Sequence, residues 1–241
     1  MPFVYRDILS SLDTHALILW ITGLVIFVAA LVDFEALRVG KISVVEPIYA
    51  CEVGVTALLA TFILRESLTL EQGLLVALSM VGIFLIAVKS FKHIKRIHAE
   101  RGVWLAILAT IGMGCANFLY GVGARETNPL MINWFANTFI AAACLIYLVL
   151  AGRMKEVSHD LKHHKRLIVN MSFFDNLAWI TYSYSTVFIP IAVATAISEA
   201  YIVLASMLGV VYNKEHLKFH QIVGFVLTVG SVIILAVITD A

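Results

Sequence analysis

"LLATFILRESLTLEQ", residues 58–72, and "ASMLGVVYNKEHLKFHQ", residues 205–221, share one pattern: an apolar run, a short polar turn, and the start of another apolar run. Setting Glu66 on Glu215 also sets Leu68 on Leu217 and Gln72 on Gln221, each pair 149 residues apart. The same offset lays Ala87 and Val88 on Ala236 and Val237. Matches held at one offset across two neighbouring runs argue for an internal duplication.

The medium follows from composition. Hydrophobic residues make up 61% of the 241 and charged ones 14%, against roughly 45–50% and about 25% in a soluble domain. Apolar runs near 15–37, 42–64, 70–90, 102–124, 130–151, 167–188, 191–212 and 217–238 are each long enough to cross a bilayer as a helix. The expected fold is all-α, a polytopic membrane bundle of about eight transmembrane helices. No cleavable signal peptide is expected, since the first apolar run reads as a full span. Cys51, Cys115 and Cys144 lie inside apolar runs without metal-ligand spacing.

Basic residues set the expected orientation. Arg6, Arg65 and Arg125 fall in links on one side. The remaining 14 of the 17 Lys and Arg fall on the other, many of them in the two longer links, 89–101 and 152–166. The basic side is expected to be cytoplasmic, which puts both termini on the non-cytoplasmic side. The two basic links read as solvated topology signals, with lipid headgroups as the alternative contact.

The duplicated unit is five helices, about 102–238. An odd number of spans forces the two copies into opposite orientations, an architecture found in transporters. The counterpart of residue 101 would precede Met1 by about 48 residues on the same offset. Residues 1–90 therefore read as the last three helices of a first repeat, and 101–241 as a complete second repeat. The cell membrane is the expected location.

Three carboxylates stand out. Glu199, Glu52 and Asp175 lie within roughly 3, 2 and 4 Å of the middle of their runs, at 1.5 Å per residue. No Lys or Arg lies in the central part of any run. Each acid costs about 2.5–3.5 kcal/mol at the bilayer centre. One reading is that each is protonated and pins helices together. The other is that they share a watery cavity and bind a proton, a cation or both. Three acids at one depth favour the second, because pinning has no reason to choose a level. Their helical stripes are polar: Tyr49 and Thr56 with Glu52, Thr195 and Ser206 with Glu199, and Ser172, Trp179 and Tyr182 with Asp175. Asn117 lies a turn from Tyr120, and Asn133 a turn from Asn137. Ring faces suit a cation, although each aromatic alone is ordinarily packing. Asp33, Glu35 and Glu46 are close to a helix end and read as snorkelling groups. The candidate substrate and proton site is thus Glu199, Glu52, Asp175, Tyr49, Trp179, Tyr182 and Asn117.

"EHLKFH" at 215–220 and "SHDLKHH" at 158–164 carry histidines at helical spacing but lack a full ligand set. No metal, no cofactor, no nucleic-acid signature and no enzyme motif is read from the chain.

The chain resembles the drug/metabolite transporter superfamily, EamA type. Both copies carry its pattern: "EALRVGKISVVEPIYACEVGVTALLATFILRESLTLEQG" from Glu35, with Pro47 and Glu66, and "YSTVFIPIAVATAISEAYIVLASMLGVVYNKEHLKFHQIVG" from Tyr184, with Glu215 and with Ala196 in the place of Pro47. "GMGCANFLYGVGARETNP", 112–129, is similar to the family's first repeat helix. The resemblance implies two five-helix repeats, of which the first here lacks two helices. It also implies cytoplasmic termini, where the charge count gives the opposite. The resulting expectation is a secondary transporter of a small metabolite, amino-acid-like solute or cationic drug, coupled to protons. The alternative is a shortened, non-transporting membrane scaffold or partner subunit of the same fold. Partners are a small-molecule substrate, protons and membrane lipid, and a homodimer stays open.

Overall fold

A computed structural model describes residues 14–88, 101–214 and 216–239. The basic link at 89–100, Glu215 and the terminal residues lie outside these. Among the described residues every regular element is helical: α1 Ala16–Val39, α2 Ile42–Tyr49, α3 Glu52–Ile63, α4 Leu70–Ala87, α5 Arg101–Glu126, α6 Pro129–Leu150, α7 Met154–Phe188, α8 Ile191–Glu199, α9 Tyr201–Asn213 and α10 Phe219–Thr239. Among the described residues seven segments are long and apolar enough to cross a membrane. The eighth expected run, 167–188, is continuous helix inside α7, but Asn170, Ser172, Asp175, Asn176, Thr181 and Ser183 dilute its apolar character. The protein is an all-helical, multi-pass membrane bundle.

Two expected spans are broken in the middle. Residues 42–64 divide into α2 and α3 at Ala50 and Cys51, and 191–212 divide into α8 and α9 at Ala200. At both breaks the chain tightens. The Cys51 N–H donates to Ile48 O at 3.0 Å and the Ala200 N–H to Ile197 O at 3.2 Å, each three residues back rather than four. ψ is −5° at Cys51 and −4° at Ala200, away from the α-helical −42° and nearer the 3₁₀ range. Pro47, inside α2, has no N–H to give and so weakens the ladder just before the first break. The second break forms with no proline, at Ala200.

The chain forms two compact units. The first comprises Met1–Phe27 and Leu119–Phe188. In it Trp20 meets the edges of Phe135 and Phe139, with ring centres 5.4 and 5.6 Å apart. Arg125 Nε donates to Thr186 O at 2.6 Å, and Asn133 Nδ2 to Ser183 Oγ at 2.7 Å. In the basic link Arg153 donates to Glu156 at 2.9 and 2.6 Å and holds its carboxyl below the usual range.

The second unit comprises Val28–Phe118 and Ile189–Ala241. Its core is Ala50, Val53, Val76, Ile83, Val193, Ala196 and Leu235. Helices α4 and α10 pack antiparallel along their length. The Gln72 amide, at the start of α4, reaches Thr239 Oγ1 at the end of α10 (3.3 Å). Gln221, at the start of α10, reaches Ile86 O at the end of α4 (2.9 Å). Glycines let the two backbones touch: a Cβ on Gly224 would sit 2.6 Å from Gly82 O. Helices in lipid pack through such small residues, because apolar bulk brings no advantage over lipid tails. Thr69 and Gln72 close a capping box at the start of α4, which satisfies two of its orphan N–H groups. Lys218 keeps half of that arrangement at α10, its N–H donating to Gln221 Oε1 at 3.0 Å.

Candidate functional site

The helix breaks place the carboxylates. Glu52 is the first residue of α3, and Glu199 is the last of α8. Both belong to the second unit, and both are partly buried. They lie within electrostatic reach of one another. Asn117, buried on α5, donates from Nδ2 to Glu52 Oε1 at 2.6 Å. That short bond fixes one carboxylate oxygen. One turn further along α3, the Thr56 hydroxyl lies 3.1 Å from Gly114 O and 3.2 Å from Glu52 O. It can approach because residue 114 is a glycine, whose missing Cβ would sit 2.6 Å from Val55 Cβ.

Other polar groups of the same unit surround the pair. Tyr49, at the end of α2, turns its hydroxyl toward Asp33 O at 3.4 Å. Tyr49 and Tyr201 both sit in the field of Asp33, Glu46 and Glu52, and Tyr201 also in that of Glu199. Asp33 and Glu46 thus lie within electrostatic reach of the tyrosines that flank Glu52 and Glu199. Tyr201 was not a sequence candidate. The signal was present, since the offset of 149 lays Glu52 on Tyr201.

Asp175, Trp179 and Tyr182 stand on α7, in the first unit. Trp179 lies against Tyr120 of α5, with ring centres 4.5 Å apart, and against the buried Tyr182 at 5.9 Å. Asp175 is exposed but close enough to act electrostatically on Tyr120. Nearby, a groove of about 400 Å³ runs between α6 and α7, lined in part by Asn133, Asn137, Thr138 and Asn176. Asn137 Nδ2 donates to Asn176 Oδ1 at 2.8 Å. The buried Asn133 Oδ1 accepts no hydrogen bond. The candidates thus form two clusters, Glu52, Asn117, Glu199 and Tyr49 in one unit and Asp175, Trp179 and Tyr182 in the other.

Chemically, the first cluster is a pair of carboxylates at helix breaks, beside a fixed amide and phenol rings. Such a pair can carry a proton or a cation in exchange for one another. Among the described residues no group of three or more His, Cys, Asp or Glu could hold a metal ion.

Comparison with known proteins gives the fold and the family. A solved structure whose title reads only "Crystal structure of protein" is 13% identical, with a TM-score of 0.67 over 98% of this chain and 84% of that one. It shares the fold. No curated protein matches significantly. The model of the EamA-like transporter family matches residues 100–237. That match takes in more than half of the chain, including the broken helix that carries Glu199, and the chain belongs to the EamA-like transporter family.

Proposed function

We propose that the protein moves a small amine-bearing or otherwise cationic solute across the cell membrane in exchange for protons, with Glu199 and Glu52 as the exchanging carboxylates. The observation that carries this reading is that two broken helices each place a carboxylate at the break, Glu52 opening α3 and Glu199 closing α8, within electrostatic reach of one another. Membership of the family makes the chain a membrane transporter of small solutes, and the carboxylates narrow the class. A site rich in acids and phenol rings suits a positive charge. An anionic solute would meet only like charge from Asp33, Glu46, Glu52 and Glu199.

The same reading takes the chain as two repeats in opposite orientation, the first represented by α1 to α4 and the second by α5 to α10. Several features support it at one offset. Arg65 and Lys214 both have φ of 54°, a conformation rare for such residues. Cys51 and Ala200 are both helix-break residues. Gln72 and Gln221 both bond back to the residue three before them. The Gln72–Thr239 and Gln221–Ile86 bonds each tie the start of one helix to the end of the other, one turn from the strict pairing of a two-fold axis, since the offset lays Ser90 and not Ile86 on Thr239. Rocking of one repeat against the other would expose the carboxylates to each side in turn. Lys and Arg counts put the basic links in the cytoplasm and both termini outside.

The test is Glu199→Gln in proteoliposomes with an imposed pH gradient and a panel of radiolabelled cationic solutes. Gln keeps size and hydrogen bonding but cannot titrate. Proton-driven accumulation is expected to collapse while passive exchange persists. An unchanged pH–rate profile in Glu199→Gln would refute the assignment. Equal stability of the two proteins in detergent rules out misfolding as the cause.

A further inference from the structure

The basic link between the spans of α6 and α7 is itself helical. Ala151 and Gly152 turn the chain at the end of α6, with Gly152 at a φ of 69° that suits a glycine. The Gly152 N–H donates to Val149 O at 3.1 Å and the Arg153 N–H to Leu148 O at 2.9 Å. Helix α7 starts at once, at Met154, and leaves helical geometry at His164, where φ is −120° and ψ 23°. Residues 154–163 are therefore a helix of their own, about 15 Å long at 1.5 Å per residue.

Both ends of this helix are tied to the level of the bilayer surface. The Arg153–Leu148 bond keeps its start beside the last turn of α6, which is a candidate span up to Leu150. Its end, His163, comes four residues before Leu167, an exposed apolar residue at the entry to the α7 span. Tyr147 is exposed at the end of α6, and aromatic rings gather at the membrane–water interface. A helix held at that level at both ends runs along the surface rather than away from it.

Its faces are sorted in the same sense. At 100° per residue, Met154, Val157 and Leu161 fall within about 60° of one another. They are 43, 39 and 50% exposed, so the protein's own packing does not cover them. His159 and His163 stack on the opposite face, with ring centres 4.0 Å apart. Lys155 and Lys162 share one flank of the apolar stripe. Glu156 and Asp160 share the other, and Arg153 engages Glu156. Past the kink, Lys165 and Arg166 add two more positive charges. An apolar stripe edged by lysines is the pattern of a helix lying in a membrane interface, and anionic lipids are its charge complement.

We propose that residues 154–163 lie in the headgroup layer and bind anionic lipids of the protein's own bilayer, with Met154, Val157 and Leu161 reaching the acyl boundary and Lys155 and Lys162 meeting lipid phosphates. His159 and His163 face the water. Because this helix passes into the span at His164, its hold on the leaflet fixes the level at which α7 enters the bilayer. The inference does not draw on the proton chemistry proposed above, and its test does not measure transport.

The test is spin-label depth in the full chain, with Cys51, Cys115 and Cys144 replaced by Ser. A nitroxide is placed by Leu161→Cys, by Val157→Cys or, on the opposite face, by His163→Cys. The protein is reconstituted in nanodiscs of phosphatidylcholine with or without phosphatidylglycerol. Power saturation compares collision with oxygen, which concentrates in lipid, and with a water-soluble nickel chelate. In discs containing phosphatidylglycerol, oxygen is expected to dominate at positions 161 and 157 and the chelate at position 163. Leaving out phosphatidylglycerol is expected to shift position 161 toward the chelate. Lys155→Gln and Lys162→Gln are expected to do the same in its presence, by roughly fivefold each, the factor for one basic residue at an anionic surface. Three results would overturn the proposal. Equal chelate access at positions 161 and 163 would put the helix in water. Access of neither reagent to position 161 would make the stripe a protein contact. Oxygen dominance that ignores both phosphatidylglycerol and the lysines would leave apolar insertion with no anionic lipid site.

Discussion

Both carboxylate oxygens of Glu66 accept the backbone N–H of Ile191, at 3.2 and 3.0 Å. Ile191 is the first residue of α8, so the carboxylate sits on the positive end of the helix that leads to Glu199. The first four N–H groups of a helix have no partner within it, and a negative charge there also meets the helix dipole favourably. Pro190 precedes Ile191 and supplies no capping side chain. Glu66, 125 residues away in sequence, takes that role from the turn that follows α3.

Glu66→Ala is accordingly expected to cost about 1.5–3 kcal/mol, the range for a hydrogen bond to a charged group. Glu66→Gln, which still accepts through its carbonyl oxygen, is expected to lose roughly half of that. Thermal unfolding in detergent measures both. If Glu66→Ala unfolds at the wild-type temperature, the bond has no weight in the fold.

The Asn117–Glu52 bond is testable by a double-mutant cycle. Asn117→Leu and Glu52→Leu, neither of which can form the bond, should each destabilise. Together they should cost less than their sum, with a coupling of about 1.5–3 kcal/mol. Additivity within about 0.5 kcal/mol would mean that the two side chains do not hold each other.

The α4–α10 contact makes a steric prediction. Gly224→Leu drives a side chain into Gly82 O and Leu85 Cβ, which an added Cβ would already meet at 2.6 and 2.8 Å. Loss of about 1–3 kcal/mol or more is expected, as for other overpacked sites. Gly230 on the same helix has nothing within 4 Å of an added Cβ. Gly230→Ala should raise stability by about 0.4–1 kcal/mol, since the glycine's freedom in the unfolded chain is removed. The melting temperatures of the two variants should therefore move in opposite directions.

Orientation is checked with single cysteines in a background lacking Cys51, Cys115 and Cys144. Ser158→Cys, in the basic link, should resist a membrane-impermeant maleimide in intact cells and react after permeabilisation. Ser67→Cys, in the turn between α3 and α4, should react in both. The reverse pattern would place the basic links outside and both termini in the cytoplasm.

The sequence alone determined the all-helical membrane class, because sustained apolar runs leave the backbone no alternative to internal hydrogen bonding in lipid. It also carried the offset of 149, at which positive φ recurs at Arg65 and Lys214 and the same local bond recurs at Gln72 and Gln221. It singled out Glu52 and Glu199, since an acid in the middle of an apolar run is conspicuous without any structure. The tertiary structure alone decided that the helices break beside those two acids. Apolar periodicity runs through Ala50, Cys51 and Ala200 unchanged, and the second break, which no proline marks, shows only in its i→i−3 geometry. The structure also decided the partners. Asn117 bonds Glu52 across 65 residues and Glu66 caps Ile191 across 125, and such pairings depend on how helices pack, which no local pattern encodes. It likewise assigned Asp175 to one compact unit and Glu52 and Glu199 to the other. Equal depth along a helix axis is legible from residue counts, but the direction in which each helix turns its side chains is fixed by its neighbours.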